Sequence, residues 1–158
     1  MSLRIRADAV LSSIASFQDG EWLVECDDAD CALRCRLTAL DTLGCAFQSF
    51  EVQSDALSSA SMDRLRQVAE ALSRRLTYLL EPISPIEVDA EQCVVQLRSN
   101  PPQKDENGTS YYELLVAAGG RLSLCRFNKA AGNPRHAIPA QVTREVFLRL
   151  VADFAAAR

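Results

Sequence analysis

His136 is the only histidine in the 158-residue chain. Most general acid–base schemes would have to use it or a pair of carboxylates. It stands in a basic stretch with Arg126, Lys129 and Arg135. That stretch runs toward a predicted helix N-terminus, where unpaired N–H groups attract anions. Arg126, Lys129, Arg135 and His136 are therefore the candidate residues for a phosphate or other small anion. The alternative is a solvated basic loop. No Ser–His–Asp or Cys–His order is recognisable, and no G-x-x-x-x-G-K-[ST] loop is present. No catalytic residue can be named.

Cys26, Cys31, Cys35 and Cys45 form a second candidate cluster. Zinc needs four ligands converging tetrahedrally, usually from tight turns, and the chain has no C-x-x-C. Alternation places Cys31 and Cys35 with Leu33 and Leu37, and Cys26 with Trp22 and Val24. A four-residue loop over 27–30 would set Cys26 opposite Cys31, Val24 opposite Leu33 and Trp22 opposite Cys35. Thiols in such a layer behave as small hydrophobes. Asp27, Asp28 and Asp30 share that turn. They match no EF-hand, and Asp is favoured in turns, so neither a metal nor another cofactor is expected. Asn107-Gly108-Thr109 reads as a glycine turn.

Extended segments and helices must position these groups. Val10, Leu11, Ile14 and Phe17 fall on one face of a helix over 7–17; Met1-Ser2-Leu3 is given no weight, and Gln18-Asp19-Gly20 is expected to stop the helix. Strands follow over 21–26, 31–38 and 43–52, then a Ser-rich loop from 53 to 61. Ser61 caps a helix whose stripe is Leu65, Val68, Ala69, Leu72, Leu76 and Leu79, with Arg66–Glu70 and Glu70–Arg74 pairs on its solvated side. Further strands are expected near 86–88, 93–98, 111–118 and 121–127. Gly119-Gly120 makes a two-residue hairpin turn, and 100–110 is read as a mobile loop. Pro139 suits the first turn of a last helix that reaches about Ala155.

That helix is apolar over more than one stripe. Val142, Val146, Phe147, Leu150 and Phe154 cover one side, Val151 widens it, and Leu148 projects away. Phe147, Leu148 and Val151 are therefore candidates for an interface with another protomer or partner.

The expected architecture is a single α+β domain over 1–158. An antiparallel sheet of about six strands carries two long helices on one or both faces and a short N-terminal helix. The repeated order of strands then helix suggests pseudo-duplication. The order helix, three strands, helix, two or three strands, helix over 7–156, together with an acidic first half, resembles class I type III secretion chaperones. The resemblance implies a small homodimer that binds another protein chain.

Composition bounds the rest. A hydrophobic content of 48% with 24% charged residues suits a globular fold. The net charge of −4 and an acidic first half, 12 acidic against 8 basic side chains in 1–80, argue against nucleic acid. No apolar run approaches membrane-spanning length. Met1-Ser2-Leu3-Arg4 lacks the apolar stretch of a signal peptide, so a cytoplasmic protein with reduced thiols is expected. The preferred function is a non-enzymatic protein-binding or chaperone-like module; the alternative is a ligand binder or enzyme using the basic loop 126–136.

Overall fold

A computed structural model describes residues 1–14 and 20–158. Phe17 and Gln18-Asp19 lie outside the described residues. Among these residues three α-helices, α1 (Leu3–Ser13), α2 (Met62–Arg75) and α3 (Arg144–Ala155), accompany ten strands. The strands are β1 (Trp22–Asp27), β2 (Cys31–Leu40), β3 (Gly44–Ser54), β4 (Ile83–Asp89), β5 (Val94–Ser99), β6 (Gln103–Asp105), β7 (Gly108–Ala117), β8 (Arg121–Lys129), β9 (His136–Ile138) and β10 (Ala140–Thr143). All pair antiparallel, in the order β1-β2-β3-β8-β7-β5-β4, with β10 on β3, β6 on β7 and β9 on β8. The α+β class holds, and ten strands replace the expected six or so. The extra ones are short: β6 and β9 fall in segments expected as loop, and β10 in the expected first turn of the last helix.

Each half of the chain contributes a contiguous block, and β3 joins them by pairing with β8. Along β2, Cys31, Leu33, Cys35 and Leu37 are buried while Ala32, Arg34 and Arg36 are exposed. That is the period-two pattern of a sheet with one packed face. The inward side chains of β1, β2, β3, β5, β7 and β8 join those of all three helices in one continuous core. The helices therefore lie together on one face of the sheet: α1 and α3 over the first block, α2 over β4, β5 and β7.

Four phenylalanines form the centre of this core. Phe50 meets Phe47 at 5.6 Å, Phe147 at 5.6 Å and Phe154 at 5.1 Å between ring centroids. The last two contacts are edge-to-face, the arrangement favoured by the ring quadrupole. Phe47 and Phe50 are three residues apart, so strict alternation would send one outward. The β2–β3 register shifts between Arg36 and Ala39 resolve this by leaving Gln48 and Thr38 unmatched. These irregularities turn Phe47 and Phe50, and likewise Leu37 and Leu40, to the same face.

Local chemistry explains several boundaries. Helix α1 begins four residues earlier than predicted, because Ser2 caps it and the Asp28 carboxylate accepts from Leu3 N at 3.1 Å. Asp28 also accepts from Asp30 N and Cys31 N, at 2.8 and 2.7 Å. Burial alone would raise its pKa, but these three backbone donors hold it below the usual carboxylate range. The turn is consequently tighter than the four-residue loop expected. Cys26 faces Leu33, Val24 faces Cys35 and Trp22 faces Leu37, not Cys31, Leu33 and Cys35. The slip is two residues, which preserves the face assignment.

Helix α2 is capped by Ser61 as expected and buries Leu65, Val68, Ala69 and Leu72; it ends at Arg75, so Leu76 and Leu79, also buried, follow the helix instead of extending its stripe. On its outer side Arg66 pairs with Asp63 at 3.4 Å rather than with Glu70. Beyond it, Tyr78 donates to Asp153 at 2.7 Å and lies under the Arg149 guanidinium, tying the α2 exit to α3. The segment expected as a mobile loop over 100–110 contains β6, which pairs with the start of β7. Pro139 does not open the last helix. It separates β9 from β10, and Thr143 caps α3 by accepting from Val146 N at 3.1 Å. The β7–β8 turn has three residues, because Ala117 pairs with Arg121.

Gly120 combines φ +86° with close approach: an added Cβ would lie 2.2 Å from Ser54 O. Ser54 N donates to Gly120 O at 2.8 Å, so the turn is locked to the end of β3. Gly120→Ala should therefore cost about 2 kcal/mol or more, from left-handed strain plus the clash. Denaturant midpoints within error of wild type would show that the turn relaxes freely. Leu72→Ala should cost about 2–5 kcal/mol, as an emptied core site does, and Arg74→Ala less than about 1 kcal/mol. Equal effects of these two changes on unfolding would mean the buried face of α2 is misassigned.

Candidate functional site

The basic stretch is divided by the alternation of β8. Leu122, Leu124 and Arg126 point to the helix side, while Cys125 and Phe127 point to the open side. Arg126 and Arg135 therefore occupy different environments, and the four basic candidates do not converge on one anion.

On the open side the centre is Glu113, whose side chain is only 7% exposed. Its Oε2 accepts from Gln96 Nε2 at 2.8 Å, Arg98 Nε at 3.2 Å and Arg135 Nη1 at 2.6 Å. Strand register makes two of these contacts: Arg98 pairs directly with Glu113, and Gln96 is the same-face neighbour. Arg135 arrives from the β8–β9 connection. Its guanidinium lies over Phe127 at 4.0 Å, and Arg98 lies over Tyr111 at 5.0 Å. Burial would raise the Glu113 pKa, but the bonds from Arg135, Gln96 and Arg98 and the nearby cations pull it below its ordinary value. The same contact raises the Arg135 pKa. This arrangement fastens a loop to a sheet face.

On the helix side, Arg126 Nη1 meets Glu81 Oε2 at 2.8 Å, with side chains 10% and 13% exposed. Arg126 Nη2 donates to Gln103 Oε1 at 2.9 Å, and the guanidinium lies 4.6 Å from the Tyr112 ring centroid. Glu81 Oε1 is buried without a hydrogen-bond partner. The same holds for Arg126 Nη1, whose approach to Glu81 lacks hydrogen-bond geometry. These two residues line a cavity of about 570 Å³ together with Leu79, Leu80, Pro82, Pro101, Tyr112 and Gln141. The glutamate partners, distant in sequence from both arginines, are what sequence reasoning missed. An acidic residue beside Pro82 at a helix exit was the only visible signal.

Of the other candidates, Lys129 Nζ donates to Asn133 O at 3.0 Å, closing the loop on itself. His136 is exposed and opens β9 opposite Asn128. Phe147 and Val151 are fully buried within the protomer, so their side chains are occupied by the core, while Leu148 is half-buried against it. The breadth of the apolar face of α3 has an internal cause: it packs on β3, β10, α1 and α2.

All six cysteines are free thiols. Burial pushes the Cys45 thiol up to about 12, and Cys35 also stands well above its usual value. Asp30 faces Arg158 at 3.4 Å. No group of three His, Cys, Asp or Glu side chains placed to hold a metal occurs among the described residues. No helix among them is long and apolar enough to cross a membrane. Comparison with family models, with curated proteins and with solved structures found no match for this chain.

The Glu113 arrangement has a definite pH signature. Its folded-state pKa lies below the unfolded one, so its contribution is complete above the ordinary glutamate value of about 4.3. It is lost as pH falls through the lowered folded value. Glu113→Gln should destabilise the protein at neutral pH and flatten the acid limb of its stability profile. Parallel wild-type and variant curves between neutral pH and pH ~3 would show that Glu113 carries no such linkage.

Proposed function

We propose that the protein is a non-enzymatic, chaperone-like protein-binding module that acts as a homodimer and engages another protein chain. The observation that carries this reading is the open face of the sheet. Among the described residues all three helices lie on one side, and the other face has no helical cover over seven principal strands. Around the Glu113–Arg98–Arg135 cluster its middle presents Leu115, Cys125 and Phe127, and Leu23 and Val88 stand exposed near the two edges. Toward β1 the face carries the Glu25–Arg34 and Glu21–Arg36 pairs, at 3.4 and 3.7 Å. Apolar side chains interleaved with charged, hydrogen-bonding groups are the usual composition of a protein interface.

The order of elements also supports the reading. Helix, three strands, helix, further strands and a last helix is the order that carried the resemblance to class I type III secretion chaperones. The basic-loop alternative loses support, because Arg126 and Arg135 each already face a glutamate.

Light scattering should find a dimer. Leu115→Asp, a charge at the middle of the open face, should weaken that dimer at least tenfold while circular dichroism stays native, since a buried unpaired charge is costly. A variant that dimerises like wild type removes the sheet face as the interface. A monomeric wild type at high concentration removes the homodimer.

A further inference from the structure

We propose that the cavity beneath Leu80 binds the side-chain carboxamide of a glutamine on a partner polypeptide. This deepens the protein-binding reading and rests on it. The cavity floor holds a buried ion pair that is incomplete. Glu81 Oε1 has no donor, and Arg126 Nη1 has no well-directed acceptor. Buried polar atoms of this kind are rare in folded proteins. The two charges cancel, so a charged ligand would leave an uncompensated charge in a desolvated place. The matching ligand is neutral and carries a donor beside an acceptor. A primary carboxamide presents both on one edge. A trans main-chain peptide points its N–H and C=O in opposite directions and cannot.

The chain already contains a partial stand-in. The Gln103 carboxamide accepts from Arg126 Nη2 at 2.9 Å but leaves Glu81 Oε1 unsatisfied. Gln103 lies on β6, a three-residue strand exposed along its whole length. Its side chain holds the same guanidinium and is the internal competitor of an incoming carboxamide. The surrounding walls suit the rest of such a residue. Pro82, Pro101, Pro102 and Pro139 offer flat apolar surfaces, with the Tyr112 ring under the guanidinium. At the rim Leu80 is 95% exposed and held at φ +65°. A non-glycine residue in that conformation with its apolar side chain in water is uncommon. It stands where it would meet the residue flanking the bound glutamine.

The test is a titration of isotopically labelled protein with acetyl-Ala-Gln-Ala-amide, followed by amide resonances. Analogues with Glu or Met at the central position share every main-chain group and serve as controls. The Gln peptide should bind at least tenfold more tightly than either control and shift the resonances of Leu79, Leu80, Glu81 and Arg126. Gln141→Trp, an exposed position at the cavity wall away from the ion pair, should weaken binding at least fivefold. Gln103→Ala should strengthen it at least threefold by removing the internal competitor, a gain that a purely structural role of Gln103 would not produce. Equal affinity for the three peptides overturns the proposal, as does indifference to both substitutions. That failure alongside an intact sheet-face dimer leaves the protein-binding reading standing. A glutamine preference in a monomeric wild type supports the cavity and removes the homodimer.

Discussion

The structure depends on the packing of Phe50. Its strand, β3, is the only one that pairs with β2 of the first block and β8 of the second. Its ring touches a second β3 residue and two residues of α3. The joint between the halves and the seat of the last helix are thus one contact. To bring Phe47 inward beside it, the β2–β3 ladder gives up regular register around Gln48 and Thr38. Disrupted pairing is tolerable there because the aromatic area buried outweighs a locally imperfect ladder.

Placing every helix on the Phe50 side has an electrostatic consequence. The two sheet faces become different solvents. On the open face Glu113 collects three donors, and its oxygens sit among cations that remain partly hydrated. On the helix face Glu81 and Arg126 are almost completely withdrawn from water, and the pair must be complete to offset desolvation. It is not complete. The same residue types therefore form a three-donor clamp on one side of β8 and an incompletely bonded buried pair on the other.

Much of this was legible in the residues. Face assignment follows from parity, so the buried set on β2 was readable even though the hairpin register was two residues away. Asp28 caused that error: its side chain takes two turn N–H groups and the first N–H of α1, which no local propensity reveals. The α2 stripe was readable because Leu and Val at helical spacing have few alternatives. Strands β9 and β10 were not, since three or four residues lack a measurable period and exist only because β8 and β3 offer free edges. The breadth of α3, apart from Val142, which lies on β10, was legible and was attributed to a partner. Its neighbours α1 and α2 come from distant parts of the chain, so an internal explanation required the tertiary fold.

The candidate site shows the same division. Clustering Arg126, Lys129, Arg135 and His136 by sequence ignores that successive strand residues face opposite ways. Arg126 follows Cys125 and precedes Phe127 on a strand, which already separates it from anything on the Phe127 side. What alternation cannot supply is the partner. Glu113 meets Arg135 because the β8–β9 connection returns to the open face, and Glu81 meets Arg126 from the segment between α2 and β4. A basic run is therefore evidence of an anion site only after each cation's carboxylate has been sought in three dimensions. Here both the strand-borne Arg126 and the loop-borne Arg135 have their carboxylates, and among the described residues the buried carboxylate oxygen without a donor is Glu81 Oε1.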